Sequence, residues 1–156
     1  MKKLGGIDAS FLYMETAETP MHVAGLTFIE LPAGYSGNFY EDYKAHIARR
    51  MHLVPIFSQK LVPVPFEIDH PLWVEDDELD LSYHIRRLNL PSPGTLEQLE
   101  ELVGRLHSNF LDRSRPLWEF YVIDGLRNGQ VAIYTKMHHA AVDRSEERRV
   151  GKECRL

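Results

Sequence analysis

The segment formed by residues 95–109 constrains the fold most strongly, because its pattern predicts one long amphipathic helix. Thr95 and Gln98 form a capping-box pair, in which the side chain of each residue can bond the backbone N–H of the other. The apolar residues that follow recur at helical spacing and make one face, which comprises Leu96, Leu99, Leu102, Val103, Leu106 and Phe110. We expect this helix to pack on a β-sheet.

Segments with β-strand character lie on both sides of this helix. Residues 83–90 predict a strand that ends at the loop Pro-Ser-Pro-Gly, residues 91–94. After the helix, residues 117–124 alternate as a strand does, and residues 131–137 return antiparallel from a turn that contains Asn128-Gly129. The sequence therefore predicts an α/β domain with a mixed β-sheet and packed helices. The topology beyond the hairpin stays open.

The N-terminal half carries shorter patterns. Residues 23–31 are rich in β-formers and predict a strand, and residues 38–51 predict a helix with apolar residues at four-residue spacing. Prolines interrupt residues 57–66, so any strand there is short or lies at a sheet edge. Residues 70–74 predict another short strand.

The first segment, residues 5–21, mixes apolar and polar residues without a clear period. Asp8 and Ser10 can cap a helical turn through Phe11 and Leu12. The sequence therefore predicts only a short helical turn here, with a structural role.

Two adjacent histidines, His138 and His139, follow the second strand of the hairpin, and Asp143 lies four residues after the second histidine. Imidazole titrates near neutral pH, so a histidine can take a proton from a hydroxyl group and return it to a leaving group. Neighbouring residues of a strand point to opposite faces, so both rings can reach one substrate atom only if the backbone turns between them. We therefore expect one reactive and one structural histidine.

Spacing alone leaves three interpretations of this histidine pair open. The two residues can be ordinary histidines at a strand end. His139 and Asp143 also have the i, i+4 spacing of two metal ligands on one helix face, but no further ligands and no HExxH pattern lie nearby. The third interpretation is a general base.

Several segments, in this order, resemble one family. The segments are residues 8–13, 19–23, 70–74, 83–87, 106–108, 111–119 and 138–143, the last of which matches the start of an HHxxxDG motif. That motif is typical of CoA-dependent acyltransferases in general. The whole set resembles the bacterial wax ester synthase/diacylglycerol acyltransferase family, and the resemblance extends from residue 4 to residue 143.

The resemblance implies a fold, a reaction and roles for residues. The fold is one half of a two-domain, chloramphenicol-acetyltransferase-like architecture with the active site between the domains. The reaction transfers a fatty acyl group from acyl-CoA, the co-substrate, to diacylglycerol or a long-chain alcohol, with no metal and no bound cofactor. His139 is the implied general base, and His138 and Asp143 are implied to be structural. Residues 116–118, Pro116, Leu117 and Trp118, are candidates for the substrate channel.

The resemblance stops within the motif, where Arg144 stands in place of glycine. We therefore expect residues 1–143 to be an N-terminal acyltransferase domain, truncated within the motif and inactive without its C-terminal partner domain. Residues 144–154 match the translation of a DNA string that resembles a common sequencing adapter, so residues 144–156 are expected to be a non-native tail with few specific contacts. The sole cysteine, Cys154, lies there and indicates no redox or catalytic role.

Two other functions stay open. One is another acyltransferase or condensation domain with the HHxxxD motif, and the other is a non-catalytic domain that binds lipid or a protein partner. An acyl-CoA turnover assay on the full-length gene product separates the non-catalytic function from the other two.

Composition and charge limit the partners. The chain is 44% hydrophobic and 26% charged, as in ordinary globular proteins, and its net charge of −5 without a basic stripe argues against nucleic acid. No apolar run approaches the ~20 residues that a membrane-spanning helix needs. The N-terminus also lacks the apolar core of a signal peptide. We expect a cytoplasmic protein, with room for peripheral contact with a membrane or lipid droplets.

Overall fold

A computed structural model describes residues 2–16 and 18–142 of the chain. The helices are α1 (Gly6–Met14), α2 (Phe39–Arg50), α3 (Leu81–His84) and α4 (Leu96–Ser108). The strands are β1 (Lys2–Lys3), β2 (His22–Ile29), β3 (Gln59–Val62), β4 (Leu72–Glu75), β5 (Ile85–Asn89), β6 (Trp118–Asp124) and β7 (Val131–His138). Short 3-10 turns occupy Met51–Leu53, Pro55–Phe57 and Pro65–Glu67.

The strands form two sheets. The larger sheet has the order β2-β7-β6-β5, in which β2 and β6 each pair antiparallel with β7, and β5 pairs parallel with β6. The smaller sheet is antiparallel, with the order β1-β4-β3. The predicted mixed sheet is therefore confirmed, and β3 lies at a sheet edge as its prolines indicated.

Helix α4 connects the parallel strands β5 and β6 and covers one face of the larger sheet. Its capping box is formed as predicted, since Thr95 accepts from the backbone N–H of Gln98 and the Gln98 side chain accepts from that of Thr95. Leu99 is fully buried between helix and sheet, and burial of one leucine side chain stabilises a fold by roughly 1.5–3 kcal/mol. The residues packed at this interface include Leu90, Leu102, Val103, Leu106, Tyr121, Ile123, Ala132 and Tyr134.

Helix α2 covers the opposite face of the same sheet. It begins at the predicted position, where the Asn38 side chain accepts from the backbone N–H of Glu41 at 3.3 Å. Its apolar residues pack on Ile85, Trp118 and Phe120 and include Tyr40, Tyr43 and Ile47. One helix thus packs on each face of the larger sheet, while most of the edge strand β2 stays exposed.

The predicted hairpin of β6 and β7 is confirmed and carries the histidines to one end of the sheet. Trp118 pairs with Met137 across the hairpin, and His22 of β2 pairs with His138 on the other side of β7. Because side chains alternate along a strand, His138 lies on the face that α4 covers, together with Tyr134.

Two local predictions need correction. Helix α1 has nine residues instead of one short turn, and its N-cap is Gly5 without a side-chain cap. Ala9 and Leu12 are its buried positions, but Ile7 and Tyr13 on its other faces hide this pattern in the sequence. Strand β5 begins at Ile85, because the two residues before it belong to the helical turn α3.

Helix α1 packs directly against the end of the histidine motif. Ala9 and Leu12 share a hydrophobic cluster with Ala140 and Ala141. The cluster also contains Leu4, Ile56, Leu61, Trp73, Leu111 and Leu117. The N-terminal helix is therefore part of the support for the candidate site.

Candidate functional site

The backbone changes from strand to helix between the two histidines. His138 is the last residue of β7, and helical structure begins at His139 and continues to the last described residue, Val142. His138 is 1% exposed, whereas His139 is half-buried. The turn gives the two rings different surroundings.

His138 is held in the core by its backbone and by its ring. Its N–H donates to the carbonyl of Leu117 at 3.1 Å, and its ring Nδ1 accepts from the N–H of Ala140 at 3.2 Å. Since Nδ1 accepts, the proton of the neutral ring lies on Nε2. Nε2 is 3.3 Å from Oε2 of Glu15, but the geometry is not that of a hydrogen bond, so the contact is electrostatic.

Burial lowers the pKa of His138 to about 4, although the nearby Glu15 carboxylate acts in the opposite direction. Desolvation therefore outweighs the attraction of the carboxylate. His138 is uncharged at neutral pH, and its buried ring serves packing and hydrogen bonding.

His139 is fixed by contacts with the segment before β2 and with α1. Its backbone N–H donates to the carbonyl of Met21 at 2.9 Å. Its ring stacks on Phe11, with 4.9 Å between the ring centroids and 19° between the planes. The imidazole is thus oriented by an aromatic neighbour, in a residue that is half-buried.

Glu15 joins the elements around this pair and was missed by the sequence analysis. Its Oε2 accepts from the backbone N–H of Met21 at 2.9 Å, and its Oε1 accepts from Arg113 at 2.9 Å. Arg113 also donates to the carbonyl of Leu12 in α1. No local pattern in the sequence predicts these contacts, because the partners lie far apart along the chain.

Polar side chains on the same face of the sheet hold the C-terminal end of α4. The ammonium group of Lys136 donates to the carbonyls of Leu106 and Asn109 at 2.7 and 2.8 Å, and it lies 3.8 Å from Glu119. His22 Nε2–H donates to the carbonyl of His107 at 2.6 Å. These donors satisfy carbonyls that a helix end leaves without partners.

His138 is a neighbour of both side chains, Lys136 and His22, that bond the C-terminal end of α4. Lys136 precedes it by two residues on the same face of β7, and His22 is its cross-strand neighbour. Lys136 is fully buried, and burial lowers its pKa and that of His22. The end of β7 is therefore anchored to α4 on both sides of the structural histidine.

The three channel candidates are buried next to the motif. Leu117 is 0% and Trp118 is 1% exposed, and Pro116 is also buried. The carbonyl of Leu117 bonds the backbone of His138, and the indole N–H of Trp118 donates to the carbonyl of Phe57 at 3.0 Å. The structure brings Leu117 and His138 together, while the side chains of Leu117 and Trp118 lie in hydrophobic clusters.

Some predictions fall on residues outside the described part of the chain. These are the role of Asp143, the domain boundary after it and the few contacts expected of residues 144–156.

The part of the chain that comprises residues 2–16 and 18–142 contains no group of three or more His, Cys, Asp or Glu residues that could hold a metal ion. Among its helices, none has both the length and the apolar character needed to cross a lipid bilayer.

An open depression of about 620 Å³ lies at the other end of the larger sheet. Phe28, Leu96 and Arg127 are among the residues that line it. Phe28 pairs with Ala132 near the start of β7, so this depression is about 20 Å from the histidines along the strand. It is not part of the candidate site.

The buried histidines predict acid sensitivity. Burial lowers the pKa values of His22, His84 and His138, so the unfolded chain binds protons that the folded chain does not. Stability is then constant above the ordinary histidine pKa and falls as the pH drops below about 6.5, by roughly 1.4 kcal/mol per pH unit for each histidine that stays neutral.

Urea unfolding at pH 7.5, 6.0 and 5.0 measures this loss of stability. Replacing the exposed His52 by asparagine should leave the pH slope unchanged. A free energy of unfolding that stays constant from pH 7.5 to 5.0 would contradict the assignment of neutral buried histidines.

The chain is similar to known proteins in sequence and in fold. A family model described as the wax ester synthase/diacylglycerol acyltransferase catalytic domain matches residues 4–145. Two proteins of Mycobacterium tuberculosis, each named a "probable diacylglycerol O-acyltransferase", are 43% identical over 136 residues and 40% identical over 141 residues. These matches cover 87% and 90% of this chain but only 30% and 51% of the relatives.

Solved structures share the fold. The wax ester synthase/diacylglycerol acyltransferase of Marinobacter aquaeolei VT8 is 36% identical with a TM-score of 0.79, and the match covers 97% of this chain and 36% of that one. The starter condensation domain of rhizomide synthetase has a TM-score of 0.63 at 12% identity, over 89% of this chain and 34% of that one, which shows a common fold alone. Because the family model covers nearly all of the described residues, the chain belongs to the wax ester synthase/diacylglycerol acyltransferase family.

Proposed function

We propose that the chain contributes the histidine-bearing part of an acyl-CoA-dependent O-acyltransferase, with His139 as the general base. The contrast between two adjacent imidazoles carries this proposal. His138 is buried and kept neutral, whereas His139 is half-buried and rests on Phe11. A base needs a fixed ring that substrate can reach, and His139 meets both requirements.

The proposed reaction needs no covalent enzyme intermediate. His139 accepts the hydroxyl proton of the acceptor alcohol while the hydroxyl oxygen attacks the thioester carbonyl of acyl-CoA. The tetrahedral intermediate then expels the CoA sulfur, which takes the proton back from His139. The products are an ester and free CoA, and a positioned base contributes roughly 10²–10⁴ to the rate of such a reaction.

Diacylglycerol or a long-chain alcohol is the proposed acceptor, and triacylglycerol or a wax ester is the product. The names of the relatives, diacylglycerol O-acyltransferase and wax ester synthase, support these acceptors. The condensation-domain structures share only the fold and favour no other acceptor. Because the proposed acceptors are lipids, peripheral contact with a membrane or with lipid droplets is part of this proposal.

Supporting roles are proposed for the other motif residues. Asp143 is proposed to support the motif structurally, like His138. We assign Pro116, Leu117 and Trp118 to one wall of the substrate channel. The bond between the Leu117 carbonyl and the His138 backbone supports this assignment, since it ties that segment to the motif.

Activity is proposed to need a C-terminal domain in addition to this chain. The relatives are about two to three times as long as the region that matches this chain. In addition, Arg144 stands in place of the motif glycine, at the start of residues 144–156, which are proposed to be a non-native tail. The 156-residue chain alone is therefore expected to transfer no acyl groups.

A chimaeric enzyme tests both the proposed acyltransferase activity and the need for a C-terminal domain. Residues 2–143 of this chain replace the matching N-terminal part of the Marinobacter enzyme, and long-chain acyl-CoA is supplied with hexadecanol or diacylglycerol. We expect the chimaera to form the corresponding ester, identified by mass spectrometry, and the isolated chain to form none. A folded chimaera without ester product would contradict the proposed function, and ester formation by the isolated chain would contradict the need for a second domain.

A further inference from the structure

Glu15 is the residue at which α1 ends, and its carboxylate contacts three other segments. Oε2 accepts from the Met21 N–H, and Oε1 accepts from Arg113. The same Oε2 is 3.3 Å from the His138 ring. The carboxylate therefore joins the entry to β2, the loop before β6 and the end of β7.

The Glu15 side chain is charged although it is only 6% exposed. Burial alone would raise the pKa of its carboxyl group, but the hydrogen bonds from Met21 and Arg113 lower it below the ordinary value overall. A buried carboxylate is retained in a fold only where its partners hold it. The same hydrogen bonds fix the Met21 N–H and the Arg113 side chain relative to Glu15.

Met21 links this carboxylate to the proposed base. Its N–H donates to Glu15, and its carbonyl accepts the backbone N–H of His139 at 2.9 Å. Phe11 lies one helical turn before Glu15 and stacks on the His139 ring. One end of α1 thus holds both the backbone and the imidazole of His139.

We propose that Glu15 is a positioning residue for His139, acting through the backbone N–H and carbonyl of Met21 and through the ion pair with Arg113. The inference rests on the proposed role of His139 as the base. Misplacing a catalytic group by about 1 Å can cost about 100-fold in rate. Glu15 itself does not touch the substrate.

The first test uses the 156-residue chain and needs no activity. Hydrogen exchange followed by NMR compares Glu15→Ala and Glu15→Gln with the exposed control Glu18→Ala. We expect Glu15→Ala to speed exchange of the His139 amide by about tenfold or more, while the amide of Val122 in β6 stays protected. Unchanged exchange at His139 would overturn the proposal.

The glutamine variant keeps the test decisive if Glu15→Ala unfolds the chain, which loss of Val122 protection would reveal. Glutamine keeps an acceptor oxygen for Met21 but loses the charge that pairs with Arg113. Its expected effect on the His139 amide is smaller than that of alanine and larger than that of Glu18→Ala. An effect no larger than the control would also overturn the proposal.

The second test measures kinetics in the chimaera. We expect Glu15→Ala to lower kcat by about 10- to 100-fold with KM for acyl-CoA unchanged, and Glu15→Gln to recover part of kcat. A change confined to KM, or equal loss with Glu18→Ala, would show that Glu15 does not position the base.

The two tests separate failure of this inference from failure of the proposed function. If the unsubstituted chimaera transfers no acyl group, the proposed function fails, and hydrogen exchange alone decides whether Glu15 positions the His139 backbone. If the chimaera is active and both Glu15 variants keep full kcat, the inference fails and the proposed function stands.

Discussion

Replacing Gly94 by alanine is expected to destabilise the domain by about 3–5 kcal/mol, because the new methyl group meets backbone that cannot move aside. Gly94 has φ +74°, and a Cβ built there would lie 1.9 Å from the carbonyl oxygen of Gly125. The carbonyl of Gly94 also accepts from the Arg127 N–H at 2.8 Å. The loop before α4 is thereby pinned to the turn between β6 and β7.

Gly129→Ala is the matched control for this prediction. Gly129 has φ +79° but nothing within 4 Å of its Cβ position, so its substitution should cost only the ~1–2 kcal/mol of left-handed backbone. Thermal unfolding should show a melting temperature lower by roughly 6–15 °C for Gly94→Ala and a smaller decrease for Gly129→Ala. Equal decreases would mean that the two turns are not packed as described.

The parts of the fold that the sequence predicted are those with local patterns. The capping box of Thr95 and Gln98 and the turn at Asn128-Gly129 are each specified by residues close together in the sequence. Helix α4 and the hairpin can therefore be predicted from a few adjacent residues. The pairing of β2 with β7 joins strands about 110 residues apart, as the Thr135–Gly25 contact illustrates. No local pattern in the sequence predicts such a pairing.

The site was only partly predictable for the same reason. The end of a strand at the histidine pair and the division into one reactive and one structural histidine could be predicted from the sequence, whereas the helix that begins at His139 is seen only in the structure. Glu15, in contrast, meets Arg113 across 98 positions of sequence, and only the packed structure brings them together. A glutamate in a segment without a clear apolar period is ordinarily exposed at the surface.

Lys136 illustrates a second limit. A lysine in a strand is ordinarily exposed. Lys136 is nevertheless fully buried, because its ammonium group donates to the carbonyls of Leu106 and Asn109 at the end of α4. Its burial depends on where α4 ends relative to the sheet. That geometry is a property of the tertiary structure rather than of the strand sequence.

Replacing His139 by alanine is expected to reduce kcat of the chimaera by about 10²–10⁴, because the substitution removes the proposed base. His139 is half-buried, so its loss creates little cavity and the melting temperature should change little. His138→Ala should instead lower the melting temperature clearly and reduce kcat less than His139→Ala does. It removes a ring that is 1% exposed and accepts a hydrogen bond from the Ala140 N–H.

The most direct measurement is the rate of free CoA release by the chimaera, with and without hexadecanol or diacylglycerol, for the unsubstituted protein and for His139→Ala. The account predicts acceptor-dependent release that is lost with His139→Ala while circular dichroism and the melting temperature are retained. Acceptor-dependent release that persists in a folded His139→Ala variant would contradict it.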